Sequence, residues 1–156
     1  MKMFREELKI LSTLINTVEM HGVTKPYIVK DPGTIKCVSV RQPWAWEIVN
    51  GIKTSENRVW RTPYRGRLYI QVSKTIGNRS EWNSIINDNC IAPDKLISTF
   101  GHIIGHVDLV DIQKIKVKDY NWQLKNPVLF DNYIPCKGRL SVFTLKEDEQ
   151  AYKMLC

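Results

Sequence analysis

Between Arg41 and Lys74 the chain concentrates residue types that handle anions and flat rings. Gly51-Ile-Lys53-Thr-Ser-Glu56-Asn-Arg58 sets a cation, an anion and a cation within one short segment. Arg41, Arg61, Arg65, Arg67 and Lys74 crowd the same stretch, and Trp44, Trp60 and Tyr64 are interleaved with them. A single-stranded nucleic acid asks for this mixture. Cations meet phosphates, and each ring stacked on an unpaired base contributes about 1–3 kcal/mol. On this reading Arg41, Arg58, Arg65 and Lys74 contact phosphate, while Trp44 or Trp60 and Tyr64 stack. Glu56 or Arg58 reads a base edge, the carboxylate accepting from an exocyclic amine. The same residues could instead do chemistry: as a catalytic pair, Lys53 with Glu56 could supply a general base or stabilise charge developing on an amide or phosphodiester. They also have architectural uses. At least one of Trp44, Trp46 and Trp60 is expected in the core. A surface Glu56–Arg58 pair is worth only about 0–1 kcal/mol, and Lys53 could be a solvated turn residue.

Several elements must position this segment. Leu8, Leu11, Leu14, Ile15 and Val18 recur at helical spacing and predict an amphipathic helix over 4–20, stopped at Gly22. It is either docked on the domain or free to recruit a protein partner. A Pro- and Gly-bearing connection follows to residue 34. Cys37–Val40 reads as a short strand. Pro43 then suits the first turn of a helix with Ala45, Ile48 and Val49 inward, ended by a left-handed Gly51. An extended Lys53–Trp60 would put Glu56, Arg58 and Trp60 on one face. Leu68, Ile70 and Val72 alternate with Tyr69, Gln71 and Ser73, as in a half-buried strand. A helix is expected over 80–87 with Ser80 as cap and Trp82, Ile85 and Ile86 inward. A long strand should run over 102–112, an irregular stretch from Trp122 to Pro135, and a last strand over 138–146. Many strands, few helices and little strand–helix–strand alternation argue a compact α+β sheet or small barrel.

A chain of 156 residues is the size of one domain, and 43% hydrophobic with 25% charged residues excludes wholesale disorder. No apolar run approaches the ~20 residues of a transmembrane helix. Glu6 and Glu7 interrupt what a signal peptide would need, so the cytoplasm is the expected location. A net charge of +7 fits a polyanionic partner as well as a merely basic surface. Cys37, Cys90, Cys136 and Cys156 form no CxxC pair and read as free thiols. His102 and His106 fall in a β-branched segment, where four residues span about 13 Å, too far to chelate one ion easily. Neither a metal nor a cofactor is expected.

Gly51-x-Lys53-x-x-Glu56-x-Arg58 is preceded by Ser39-Val-Arg41-Gln42-Pro43-Trp44-Ala45 and followed by Tyr64-Arg65-Gly66-Arg67-Leu68. In this order the elements closely resemble the ASCH domain, the module named for activating signal cointegrator homology. The resemblance continues through Ile104-Gly105-His-Val107-Asp-Leu-Val110-Asp111, Trp122-x-Leu124-x-Asn126-Pro127 and Ile134-Pro135-x-Lys137-Gly138-x-Leu140. It spans roughly residues 36–146.

The resemblance implies an α+β fold, a small PUA-like β-barrel with flanking short helices, here with the N-terminal amphipathic helix added. Three parts follow: a helical extension over 1–34, the ASCH domain over 35–146 and a tail over 147–156. It also implies a cleft lined by Lys53, Glu56 and Arg58. Members of the family include proposed RNA-binding coactivator modules, ribonucleases and compact hydrolases of acetylated cytidine, so membership fixes a fold and ligand class better than a reaction. The compact amidohydrolases carry Thr where this chain has Glu56, and many relatives carry His where it has Gln71, which cannot exchange protons near neutral pH. Both departures favour a module that binds RNA or a nucleotide-like ligand over a ribonuclease or acetylcytidine amidohydrolase. A protein-interaction module in transcription or RNA metabolism is the third reading.

Overall fold

The computed structural model describes residues 34–156 and the backbone of two short strands before them. These strands, β1 (Thr17–Met20) and β2 (Val23–Pro26), pair antiparallel as a sheet of their own. The expected N-terminal helix therefore does not reach residue 20; β-branched Thr17 and Val18 suit a ladder better than a helix end. Its remainder, residues 4–16, and the stop at Gly22 lie outside the described residues.

The main sheet has six strands: β3 (Ile35–Gln42), β4 (Ser55–Arg58), β5 (Gly66–Ile76), β6 (His102–Lys116), β7 (Asp119–Pro135) and β8 (Phe143–Leu145). Their order is β4-β7-β6-β5-β3-β8, antiparallel throughout except for the parallel β3–β5 pair. Helix α1 (Trp44–Val49) makes the crossover that a parallel pair requires. It buries Ala45, Ile48 and Val49 against Val38 and Val40, Leu68, Ile70 and Val72, Val107 and Leu109, and Trp122 and Leu124. Alternation puts Cys37 on the opposite face of the sheet, in a second cluster with Ile103, Ile134 and Phe143. Helices α2 (Arg79–Asn89) and α3 (Pro93–Ile97) hold a third cluster of Trp82, Ile91 and Leu96. Gln42 ties these parts together while fully buried. Its Oε1 accepts from the Trp46 N–H (2.8 Å) and its Nε2 donates to Thr99 Oγ1 (2.9 Å).

The sheet is not closed into the expected barrel. Strand β4 is only four residues long and lies at one edge. Along β3, β8 covers only Ile35–Cys37, so among the described residues the outer side of β3 beyond Cys37 has no strand partner. A guanidinium takes that place at Ser39, as described below.

Three local readings are corrected. Trp122–Pro135 is not irregular but part of the 17-residue β7. Its register against β6 shifts between His106 and Asp108, the interval that takes up Asn126 (φ +53°) and Pro127. A bulge is where a strand tolerates a proline with no N–H to donate. At the same place Gly105 allows the two backbones to approach; a Cβ there would lie 2.0 Å from the Val128 carbonyl oxygen. The N-cap of α2 is Asn78, not Ser80, its side chain accepting from the Ser80 and Glu81 N–H groups. The last strand is shorter than 138–146, and the tail carries helix α4 (Gln150–Leu155).

Candidate functional site

Helix α1 ends where Gly51 takes φ +75°, and the Ile52 and Lys53 N–H groups fold back onto the Glu47 carbonyl. The chain leaves this turn at Lys53. The Thr54 carbonyl accepts from Leu124 N–H, and β4 then pairs with Tyr120–Gln123. The alternation of β4 turns Glu56 and Arg58 to the same face as Trp122, toward the core. They wall a small cavity with Val38, Leu68 and Ile70.

Glu56 is the hub. One carboxylate oxygen lies 3.7 Å from Lys53 Nζ and the other 3.4 Å from Arg58 Nε. The Glu56 side chain is 12% exposed, against 27% for Lys53, so the lysine is the open member. Burial pushes the Glu56 carboxyl above its ordinary range, against the pull of Arg58 and then Lys53. Burial also lowers the Arg58 guanidinium, opposed by Glu56 and reinforced by Arg41. Arg58 Nη2 donates to the Ser39 carbonyl of β3 at 3.0 Å. A side chain from one sheet edge thus satisfies the uncovered backbone of β3, and Arg58 holds the hub rather than facing solvent.

Lys53 reaches the rim of a cleft of 440 Å³ between the end of α1 and the β6–β7 ribbon. Its apolar wall includes Ile48, Val107 and Leu124; its polar side includes Thr54, Asp111, Gln113, Gln123 and Asn126. Asn126 Nδ2 donates to the buried Asp108 carboxylate at 2.9 Å, which fixes that corner. The amides come from β6 and β7, outside the charged Arg41–Lys74 stretch. The only sequence signal for them is the Asn126-Pro127 break.

The other candidate residues do not share one cleft. Arg41 is exposed on β3. Trp44 lies against Gly77 and donates from Nε1 to Glu81, so it fastens α2. The Trp60 ring meets Trp122 edge-on at 4.9 Å with Arg58 6.0 Å from its centroid, beyond the end of β4. The Tyr64 hydroxyl donates to the Arg67 carbonyl, and burial, with Asp108 nearby, pushes it up to about 12. Arg65 Nη1 donates to the Thr62 and Tyr64 carbonyls, at 2.8 and 2.7 Å. Arg67 is exposed opposite Asp108. Lys74 lies in a separate cleft with Ser39, Ser73 and Lys137. Gln71 is buried, donating from Nε2 to the Cys136 carbonyl on the face away from Val38 and Val40.

Among the described residues no helix is long and apolar enough to cross a membrane. Residues 38–149 match the family model of the ASCH domain. The chain is similar to human activating signal cointegrator 1, 36% identical over 80 residues covering 48% of this chain, and to its mouse counterpart, 35% identical over 80 residues. It spans 14% of either relative's length. A crystal structure of ASCH from Zymomonas mobilis superposes with a TM-score of 0.50 at 12% identity, covering 79% of this chain and 95% of that one. With its mixed α+β sheet and the matched span, the chain belongs to the ASCH domain family.

Proposed function

We propose that this protein is a binding module for RNA or a nucleotide-like ligand, taken up in the cleft at Lys53. One observation carries the reading: a lysine paired with a nearly buried carboxylate stands at a cleft lined by the apolar Ile48, Val107 and Leu124 and by the polar Thr54, Asp111 and the amides of Gln113, Gln123 and Asn126. Apolar walls suit the faces of a base, amides suit its hydrogen-bonding edge, and the ammonium suits a phosphate. Human activating signal cointegrator 1 is by its name a cointegrator, which supports a role in assembling partners rather than in turnover. The cytoplasm remains the expected location.

Hydrolysis on the same cleft is a second reading, because Thr54 lines the cleft beside Lys53 and offers a hydroxyl that Glu56 does not. Titration with single-stranded RNA and with acetylated cytidine, reading binding by fluorescence and turnover by mass, separates the two. The binding reading expects saturable, salt-sensitive binding without mass change. Turnover of either compound would replace it with hydrolysis.

A further inference from the structure

The β6–β7 ribbon has two working faces. Side chains alternate along it, so Gln113 and Gln123 line the Lys53 cleft while Ile112, Lys114 and Tyr120 face the other side. There the β4–β5 connection crosses the ribbon and encloses a groove of 450 Å³. Arg61, Arg65 and Lys114 line it, together with Tyr120, and no carboxylate is among its lining residues. Arg65 is set in place by its bonds to the Thr62 and Tyr64 carbonyls. The nearest acidic influence on it, Asp111, is itself accepting from the Ile112 N–H. Beyond the groove the ribbon continues to a tip bearing exposed Lys116 and Lys118.

A free nucleotide seated at Lys53 has no use for this second groove, since it lies on the other face of the ribbon. A polynucleotide does. Strand β4 is the edge of the sheet, so a chain can pass around it from one face to the other. We propose that the Arg61–Arg65–Lys114 groove is a second anchoring site for a phosphodiester backbone, with Tyr120 as a platform for a base. The natural ligand is then a nucleic-acid strand several nucleotides long. This rests on the nucleic-acid reading of the Lys53 cleft and decides the ligand's class within it.

The test uses the full chain and single-stranded RNA of mixed sequence at about 2, 4, 8 and 12 nucleotides, with cytidine monophosphate as the short probe. Affinity is expected to rise with length. Each phosphate contact on a single strand adds about −0.7 to the salt slope, so Arg61→Gln/Lys114→Gln should flatten the slope for the longest oligomer by about 1.4. The same variant should leave the cytidine monophosphate shifts of the Lys53, Thr54 and Gln123 amides unchanged in NMR spectra. Lys95→Gln/Lys153→Gln, which removes equal charge from exposed positions on α3 and α4, should change the slope much less. Equal effects of the two double variants, or equal affinity for cytidine monophosphate and the longest oligomer, would overturn the second groove while leaving the Lys53 reading standing. Absence of binding by every probe at low salt would overturn both.

Discussion

Glu56→Gln separates what the charged hub does for stability from what it does for the site. The carboxylate sits 3.4 Å from Arg58 and 3.7 Å from Lys53, attractions of about 5 and about 4.5 kcal/mol at an effective dielectric constant of ~20. Against this, removing the carboxylate from water costs several kcal/mol. The raised Glu56 carboxyl says that burial outweighs the pull of the two cations. Ionised Glu56 therefore does not stabilise the fold relative to its neutral form, and glutamine is the neutral form's isostere. Urea denaturation at neutral pH should find Glu56→Gln no less stable than wild type, within about 1 kcal/mol. Affinity for RNA should nevertheless fall, because the Lys53 ammonium loses the group that positions it. The pH dependence carries the same sign. The folded protein holds the Glu56 proton more tightly than the unfolded chain does, so this contribution to stability is present at acid pH and is lost as pH rises through the folded-state value. Glu56→Gln should remove that part of the slope. A loss above about 3 kcal/mol at neutral pH, with the slope unchanged, would refute this account of the hub.

Two further outcomes follow from the packing. His106 lies edge-on to Tyr69 and Phe130, and burial, with Arg67 nearby, holds it down at about 4 from an ordinary 6.5. Its neutral form is favoured in the fold, so stability should fall as pH drops from 6.5 toward 4, and His106→Phe should flatten that decline in urea midpoints measured across the range. Gly105→Ala should cost about 3 kcal/mol or more in thermal or urea unfolding, since the new methyl meets the Val128 carbonyl of the neighbouring strand rather than a movable side chain.

The sequence was most legible where a local pattern and the tertiary fold agree. Leu68, Ile70 and Val72 alternate and are buried as a row, and Gly51 ends its helix with a positive φ. It was least legible where long-range pairing decides. Nothing local says that Trp122–Pro135 stays in one strand, because the bulge that absorbs Asn126 and Pro127 depends on β6 opposite it. For the site, the motif spacing brought Lys53, Glu56 and Arg58 together, as the charges of β4 and its approach suggested. It could not show that Arg58 is spent on the Ser39 carbonyl or Trp44 on Glu81, since those partners are distant in sequence. Crowding between Arg41 and Lys74 along the chain is divided in space among at least three clefts.

In the proposed function Lys53 is a fixed cation for an anionic ligand. The most direct test of this role compares wild type, Lys53→Ala and Lys53→Arg for binding of single-stranded RNA at low salt, with turnover of RNA and of acetylated cytidine followed in parallel. Alanine should weaken binding, arginine should retain part of it, and no protein in the series should turn over either compound. Robust wild-type turnover, abolished in Lys53→Arg while affinity is intact, would contradict this role and make Lys53 a catalytic group.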